Sequence, residues 1–226
     1  MKITVIMPSL NEAEAIEKSL SKVQGLRARG HDVILVDGDS SDQTIELARP
    51  LVDRIITTPR GRAVQMNAGA NVADGDVLLF LHADTRLPAG ADLLLTTALA
   101  NTGHRWGRFD VRLSGSRPAL RVVGFFMNWR SRLTGIATGD QAMFVTREAF
   151  NQVGGFPDIA LMEDVALSRT LKRRSPPALI HTPVVTSSRR WEKRGILRTI
   201  LMMWRLRLAY FFGASPQRLA RIYQRS

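Results

Sequence analysis

The chain has no cysteine among its 226 residues, which excludes a disulfide framework, a thiolate nucleophile and any cysteine-ligated metal centre. Internal repeats and low-complexity linkers are absent as well. The first residues run straight into a strand-like KITVIMP, without the basic segment and apolar core of a secretory signal, so a cytoplasmic protein is expected. Acids are scarce in one region. Arg169 to Ser226 holds 14 Lys and Arg against the single acid Glu192, net +13, whereas the first 168 residues carry 18 against 19, net −1. Such asymmetry points to an anionic surface, either nucleic acid or acidic lipid. An uncharged apolar run of membrane-spanning length is missing too. Gly195 to Gly213 is long and apolar, but Arg198, Arg205 and Arg207 interrupt it, and each is costly at a bilayer centre. That composition favours lipid over nucleic acid. An amphipathic helix lying in the interface, on the inner face of the membrane, is one reading, and packing on the domain or on another subunit is the other.

The length suits one large α/β domain. Strands at Ile3–Met7, Val33–Val36, Arg54–Thr57 and Val77–Leu81 alternate with helices over about Asn11–Arg29, Asp42–Arg49, Arg62–Ala73 and Gly90–Asn101. This is the pattern of a parallel sheet with helical crossovers. In the first helix Asn11 is placed to cap, Glu14 takes the capping-box position, and Ile16, Leu20, Val23 and Leu26 share one face. The second half is less regular. Strands at Arg108–Leu113, Ala142–Val145 and Ala178–Ser187, with helices at Leu120–Leu133, Arg147–Val153 and Asp164–Lys172, predict a mixed sheet. The organisation expected is residues 1–191 as one domain, divided near residue 101, followed by a basic amphipathic helical tail over 192–226.

Polar turns follow several of the apolar runs: IMPSLNE, LVDGDSSD, LFLHADT and LMEDVAL. Residues just past several strands of an α/β sheet converge in one crevice, where such folds bind ligands. Several carboxylates meeting there point to a divalent cation and a phosphorylated ligand. Each motif also has a plainer explanation. Pro8, Asn11 and Glu12 are consistent with a strand end and a helix cap. Asp37 and Asp39 suit a tight turn. Arg60 and Arg62 at a helix start, with Gly61 and Gly69 allowing close approach, suit either a diphosphate or a solvated surface. Asp84 ends the apolar run VLLFLHA, where an unpaired carboxylate is expensive. Gly154, Gly155, Phe156 and Pro157 break a helix ahead of Glu163 and Asp164, ordinary dipole partners for the next one.

Taken in order, from about Lys2 to about Trp191, these motifs resemble the family 2 glycosyltransferases of the GT-A fold. The resemblance implies a Rossmann-like mixed, mainly parallel sheet flanked by helices, and an inverting transfer from a nucleoside-diphosphate sugar, by preference UDP-linked, to a hydroxyl or lipid-linked acceptor. It implies that Pro8, Leu10 and Glu12 lie against ribose and base, that Asp37 binds the base with Asp39 beside it, and that Arg60, Arg62 and Asn67 belong to a nucleotide-contacting segment. His82-Ala83-Asp84 stands where the family has D-x-D, which makes Asp84 the ligand of Mn2+ or Mg2+. A histidine replaces the first aspartate; imidazole suits manganese if it ligates, and a strand-end hydrogen bond is the other reading. The string G-x-Q-x-x-F, G-G-F, E-D from Gly139 to Asp164 implies Asp164 as general base and Glu163 as the acid expected to raise its pKa. In SSRRWEKRG, Arg190 would steady the leaving diphosphate and Trp191 would stack near the acceptor or join the core. The Q-x-x-R-W form of processive synthases is not present. Two other classes fit parts of the pattern. A nucleotidyltransferase usually has a glycine-rich, lysine-bearing loop after its first strand, which PSLNE lacks, and a non-catalytic nucleotide-sugar or membrane-binding module would not need Asp164.

Overall fold

The computed structural model describes residues 1–225. Eight strands, β1 Ile3–Ser9, β2 Asp32–Asp37, β3 Arg54–Thr57, β4 Val77–Phe80, β5 Thr85–Arg86, β6 Trp106–Leu113, β7 Phe144–Thr146 and β8 Ala178–Thr186, form one sheet in the order β3-β2-β1-β4-β7-β6-β8-β5. The first four strands are parallel, β7 runs antiparallel between β4 and β6, and β8 is parallel to β6. Helices α1 Ile16–Ser21, α2 Gln24–Arg27, α3 Thr44–Ala48, α4 Arg62–Asn71, α5 Ala91–Thr102, α6 Pro118–Thr134, α7 Arg147–Gln152, α8 Glu163–Lys172, α9 Arg189–Arg194, α10 Ile196–Phe211 and α11 Pro216–Arg225 flank it.

Alternation along buried strands supplies two cores. Val5, Met7, Leu79 and Phe144 pack with Ile16, Leu20 and Leu95, while Ile6, Val36, Leu78 and Phe80 pack with Met66, Phe150 and Leu167. A sheet covered on both faces needs near-continuous apolar strands, which is what β1, β2 and β4 contain.

The first helix departs from expectation. It begins at Ile16 rather than Asn11, no side chain caps it, and it breaks into two short pieces. Asn11 has φ 53° and is engaged elsewhere. Its backbone N–H donates to Ser40 Oγ at 2.8 Å and its side-chain oxygen accepts from Ser41 N at 2.9 Å, tying the β1 turn to the β2 turn. The capping-box position assigned to Glu14 falls with it.

An arginine lies inside β6. Arg108 is fully buried and pairs with Asp110, which also receives Arg132 of α6 and has His181 of β8 at 3.6 Å. Burial pushes the Arg108 guanidinium below its ordinary pKa, and hydrogen bonding to Asp110 opposes that push.

Candidate active site

The strand order reverses between β1 and β4, so the crevice at their C-terminal ends is the ligand position for this topology. Two side chains of α4 brace it. Gln65 Nε2 donates to Ser9 O at 2.7 Å and Val36 O at 2.8 Å, joining the ends of β1 and β2. The Asn67 carboxamide donates to Phe156 O at 2.8 Å and accepts from Phe156 N at 2.9 Å. Asn67 thus anchors the Gly154–Phe156 loop, with one donor and one acceptor of its carboxamide engaged there. Asp37 is similarly occupied. It is completely buried, and its oxygens accept from Ser9 Oγ, Ser40 N and Ser40 Oγ, which orders the β2 turn. Asp39 beside it is exposed.

Arg62, His82, Asp84, Glu163, Asp164, Arg190 and Trp191 line one cleft of about 160 Å3. Pro8, Leu10, Glu12, Arg60 and Ala83 are not among its lining residues. Glu12 is electrostatically linked to it: burial raises its pKa first, and the Asp84 carboxylate raises it further. Asp84 is exposed and accepts a hydrogen bond from Thr85 Oγ1 at 3.3 Å.

The short 3-10 turn Gly139–Gln141 is the centre of the cleft. Gly139 N donates to Asp164 Oδ2 at 2.8 Å, and Val165 N to Oδ1 at 2.7 Å, so both carboxylate oxygens are oriented by backbone. A Cβ at residue 139 would lie 2.4 Å from His82 Cε1 and 2.5 Å from Nε2; only glycine lets that ring lie against the turn. His82 Nδ1 faces Asp140 Oδ1 at 3.7 Å, an ionic separation longer than a hydrogen bond. Burial alone would raise the Asp140 carboxyl, yet the interaction with His82 holds it below the ordinary value. The imidazole is therefore packed between Gly139 and Asp140.

Of the acidic pair, Glu163 is the buried member, and its carboxyl is pushed up, first by burial and then by Asp164. Met162 just before it has φ 71°. The other non-glycine residues with positive φ among those described are Asn11, Asp39 and Ala142. Arg190 and Arg62 converge. The Arg190 guanidinium is pushed down, first by burial and second by Arg62, and it stacks over the Tyr223 ring at 4.5 Å. Trp191 lines the cleft and also packs on Leu113, Leu120 and Val123.

Sequence reasoning missed Asp140, Thr199, Met203, Arg207 and Tyr223, which also line the cleft. Asp140 was visible only as an unassigned position in G-x-Q. The others belong to the segment expected as a tail, which instead folds back so that Leu206 and Leu219 pack with Met162.

Sheet order, cleft position and acids at the strand ends define the GT-A class of α/β proteins. The chain belongs to glycosyl transferase family 2, whose profile matches residues 4–154. Glu163, Asp164 and the C-terminal helices lie beyond that match. A dolichol-phosphate mannosyltransferase of Pyrococcus furiosus is 32% identical over 108 residues, 45% of this chain and 31% of that protein. A PGL/p-HBAD biosynthesis glycosyltransferase of Mycobacterium tuberculosis is 25% identical across 90% of this chain and 97% of its own length. Among solved structures, the Pyrobaculum calidifontis mannosyltransferase in complex with GDP-Man and Mn2+ is 26% identical with a TM-score of 0.64, covering 92% of this chain. The chain spans 61% of that protein and about a third of the Pyrococcus one. TarS of S. aureus with UDP-GlcNAc, 17% identical with a TM-score of 0.65 over 83% of this chain and 58% of its own, shares the fold.

Proposed function

We propose that this chain transfers a sugar from a nucleoside-diphosphate sugar to an acceptor hydroxyl with inversion. The observation that carries the reading is the Asp164 carboxylate, fixed by two backbone N–H groups in the cleft that also contains Asp84, Arg62 and Arg190. The acceptor oxygen attacks the anomeric carbon as its proton passes to Asp164. The bond from that carbon to the diphosphate oxygen breaks, and the electron pair leaves with the nucleoside diphosphate, facing Arg62 and Arg190. The transition state has oxocarbenium character, as in other glycosyl transfers.

A divalent cation fits a limited role. No group of three or more His, Asp or Glu able to hold a metal exists among the described residues. Asp84 is exposed with oxygen lone pairs to spare, and the His82 ring is committed to the 3-10 turn. Asp84 is therefore the residue that would hold such an ion, and an oxygen donor of this kind suits Mg2+ or Mn2+. Such an ion would neutralise charge developing on the leaving diphosphate. Calorimetric titration of UDP and GDP with and without Mn2+ tests the donor site. Metal-dependent binding that disappears in Asp84→Ala is expected; equal affinity with and without Mn2+ in the native chain would remove the metal from the reading.

The outer faces of α6 and α10 favour a lipid surface as the place of work. Val122, Phe125, Phe126, Trp129 and Leu133 form an exposed stripe on α6, and Leu197, Leu201, Trp204, Leu208 and Phe211 another on α10, with exposed Arg121, Arg198 and Arg205 beside them. No helix among the described residues is long and apolar enough to cross a membrane. Aromatics flanked by arginines match the headgroup boundary of an anionic bilayer. The double variant Trp204→Glu/Phe211→Glu is expected to lower partitioning onto phosphatidylglycerol vesicles by about tenfold or more, since each ring contributes about 1.5–3 kcal/mol when buried. Unchanged co-sedimentation would assign these stripes to another surface.

A further inference from the structure

A second cavity, about 690 Å3, lies beside the cleft between α6, α8 and α10 and shares Met162, Val165 and Arg207 with it. Its volume is in the range of small-molecule sites. Its charge is one-sided. Arg130, Arg169, Lys172, Arg173 and Arg207 line it, and none of the described lining residues is an acid. Two of the guanidiniums are partly buried and incompletely satisfied. Arg130 Nη1 reaches Ile136 O at 3.5 Å, but Arg130 Nε and Nη2 and Arg207 Nε are buried with no hydrogen-bond partner among the described residues. Burial pushes Arg130 down to about 10, and the neighbouring Arg207 adds to that. Buried cationic donors are normally paired, because desolvating them alone is expensive. These two stand together with no carboxylate in the cavity lining; Asp164, in the neighbouring cleft, is the carboxylate that acts on both. Apart from Thr134, the rest of the lining, Ile136, Met162, Val165, Tyr210 and Phe211, is apolar or aromatic.

We infer that this cavity is the acceptor site, and that the acceptor carries a phosphate monoester held by Arg130 and Arg207, an apolar portion against Tyr210 and Phe211, and a separate hydroxyl that reaches Asp164 past Val165. The inference rests on the glycosyltransferase reading and deepens it. The anion is an anchor rather than the nucleophile, because Arg130 lines only the cavity and the candidate base Asp164 only the cleft, with Arg207 shared by both. A lipid phosphate and a soluble phosphate ester share this chemistry.

The test uses the full chain and three soluble probes: octyl phosphate below its micellar concentration, octanol and inorganic phosphate. Octyl phosphate is expected to bind about tenfold or more tightly than octanol, and Arg130→Gln or Arg207→Gln should each weaken it about tenfold, in line with a charge-assisted hydrogen bond. Arg105→Gln, a change at an exposed ion pair with Glu148, should leave that affinity unaltered. Octanol binding retained in the two variants shows that the cavity is still formed. Equal affinity for octyl phosphate and octanol, or full octyl phosphate affinity in both variants, overturns the inference. Vesicles containing phosphatidic acid separate the sources. Capture that Arg207→Gln abolishes places the phosphate on lipid, whereas binding of octyl phosphate without such capture places it on a soluble ester. Nucleotide titration of the same native sample reads the parent proposal independently. UDP or GDP bound without octyl phosphate defeats only the acceptor inference, and neither nucleotide bound defeats the glycosyltransferase reading.

Discussion

Asp164→Asn is expected to reduce release of nucleoside diphosphate from the donor by about 10²–10⁴-fold, the usual contribution of a positioned general base. The wild-type carboxylate has both oxygens held by backbone donors, Gly139 N and Val165 N. An asparagine keeps one accepting oxygen and turns an NH2 toward the other donor, so the local fold survives while the proton acceptor is lost. The neighbouring Glu163 is buried, with its carboxyl pushed up first by burial and then by Asp164. The loss should appear in kcat, with donor affinity close to native, since the role proposed for Asp164 is on the acceptor proton. Single-turnover kinetics with an acceptor that supports native release would measure it. An effect below about threefold would mean that the reacting acceptor atom is already an anion and needs no base, which would remove Asp164 from catalysis.

Asp110→Ala is expected to cost about 3–5 kcal/mol of folding stability, read as a fall in the denaturant midpoint. Arg108 is fully buried in β6, and its Nε and Nη2 already lack partners among the described residues. Removing the carboxylate leaves a desolvated cation with nothing to balance it, and the loss is large against the 5–15 kcal/mol that stabilises ordinary domains. Breaking a buried pair is far more damaging than replacing it. The double variant Arg108→Met/Asp110→Leu should therefore recover most of the loss. Equal destabilisation in the single and double variants would show that packing at these positions, and not the unpaired charge, sets the cost.

Much of the architecture is legible in the residues, for a definite physical reason. Strands buried on both faces must be continuously apolar, so ITVIM, VILV and VLLF announce β1, β2 and β4 with little ambiguity. The order of the polar turns located Asp84, Glu163 and Asp164 on one cleft. What escaped were features decided by distant contacts. Asn11 has the chemistry of a cap, yet the turn after β2 claims it, because serines 29 and 30 positions away lie closer in space than the next helical turn. The links from Asn67 to Phe156 and from Asp37 to Ser9 likewise have no local signal in the chain. Arg108 occupies a strand position where charge is not expected. Nothing local distinguishes it from a solvated residue, since its burial is decided by the packing of β6 in the sheet and its partner Asp110 is held in turn by Arg132 of α6 and His181 of β8. The C-terminal helices carried the correct amphipathic signal, but periodicity shows that one face is apolar and not what it will meet.

That folding-back also changes how the charge of the C-terminal region acts at a distance. Of the 14 basic residues after Ser168, Arg190 and Arg207 are turned into the cleft, and Arg207 also faces the second cavity. Charges in such surroundings are shielded little by dissolved ions, whereas those on the outer faces fade beyond a Debye length of about 8 Å at physiological ionic strength. Capture of an anionic bilayer should therefore weaken steeply as salt is added, while recognition of small anions inside the molecule persists, so ionic strength separates two attractions that the net charge merges into one number.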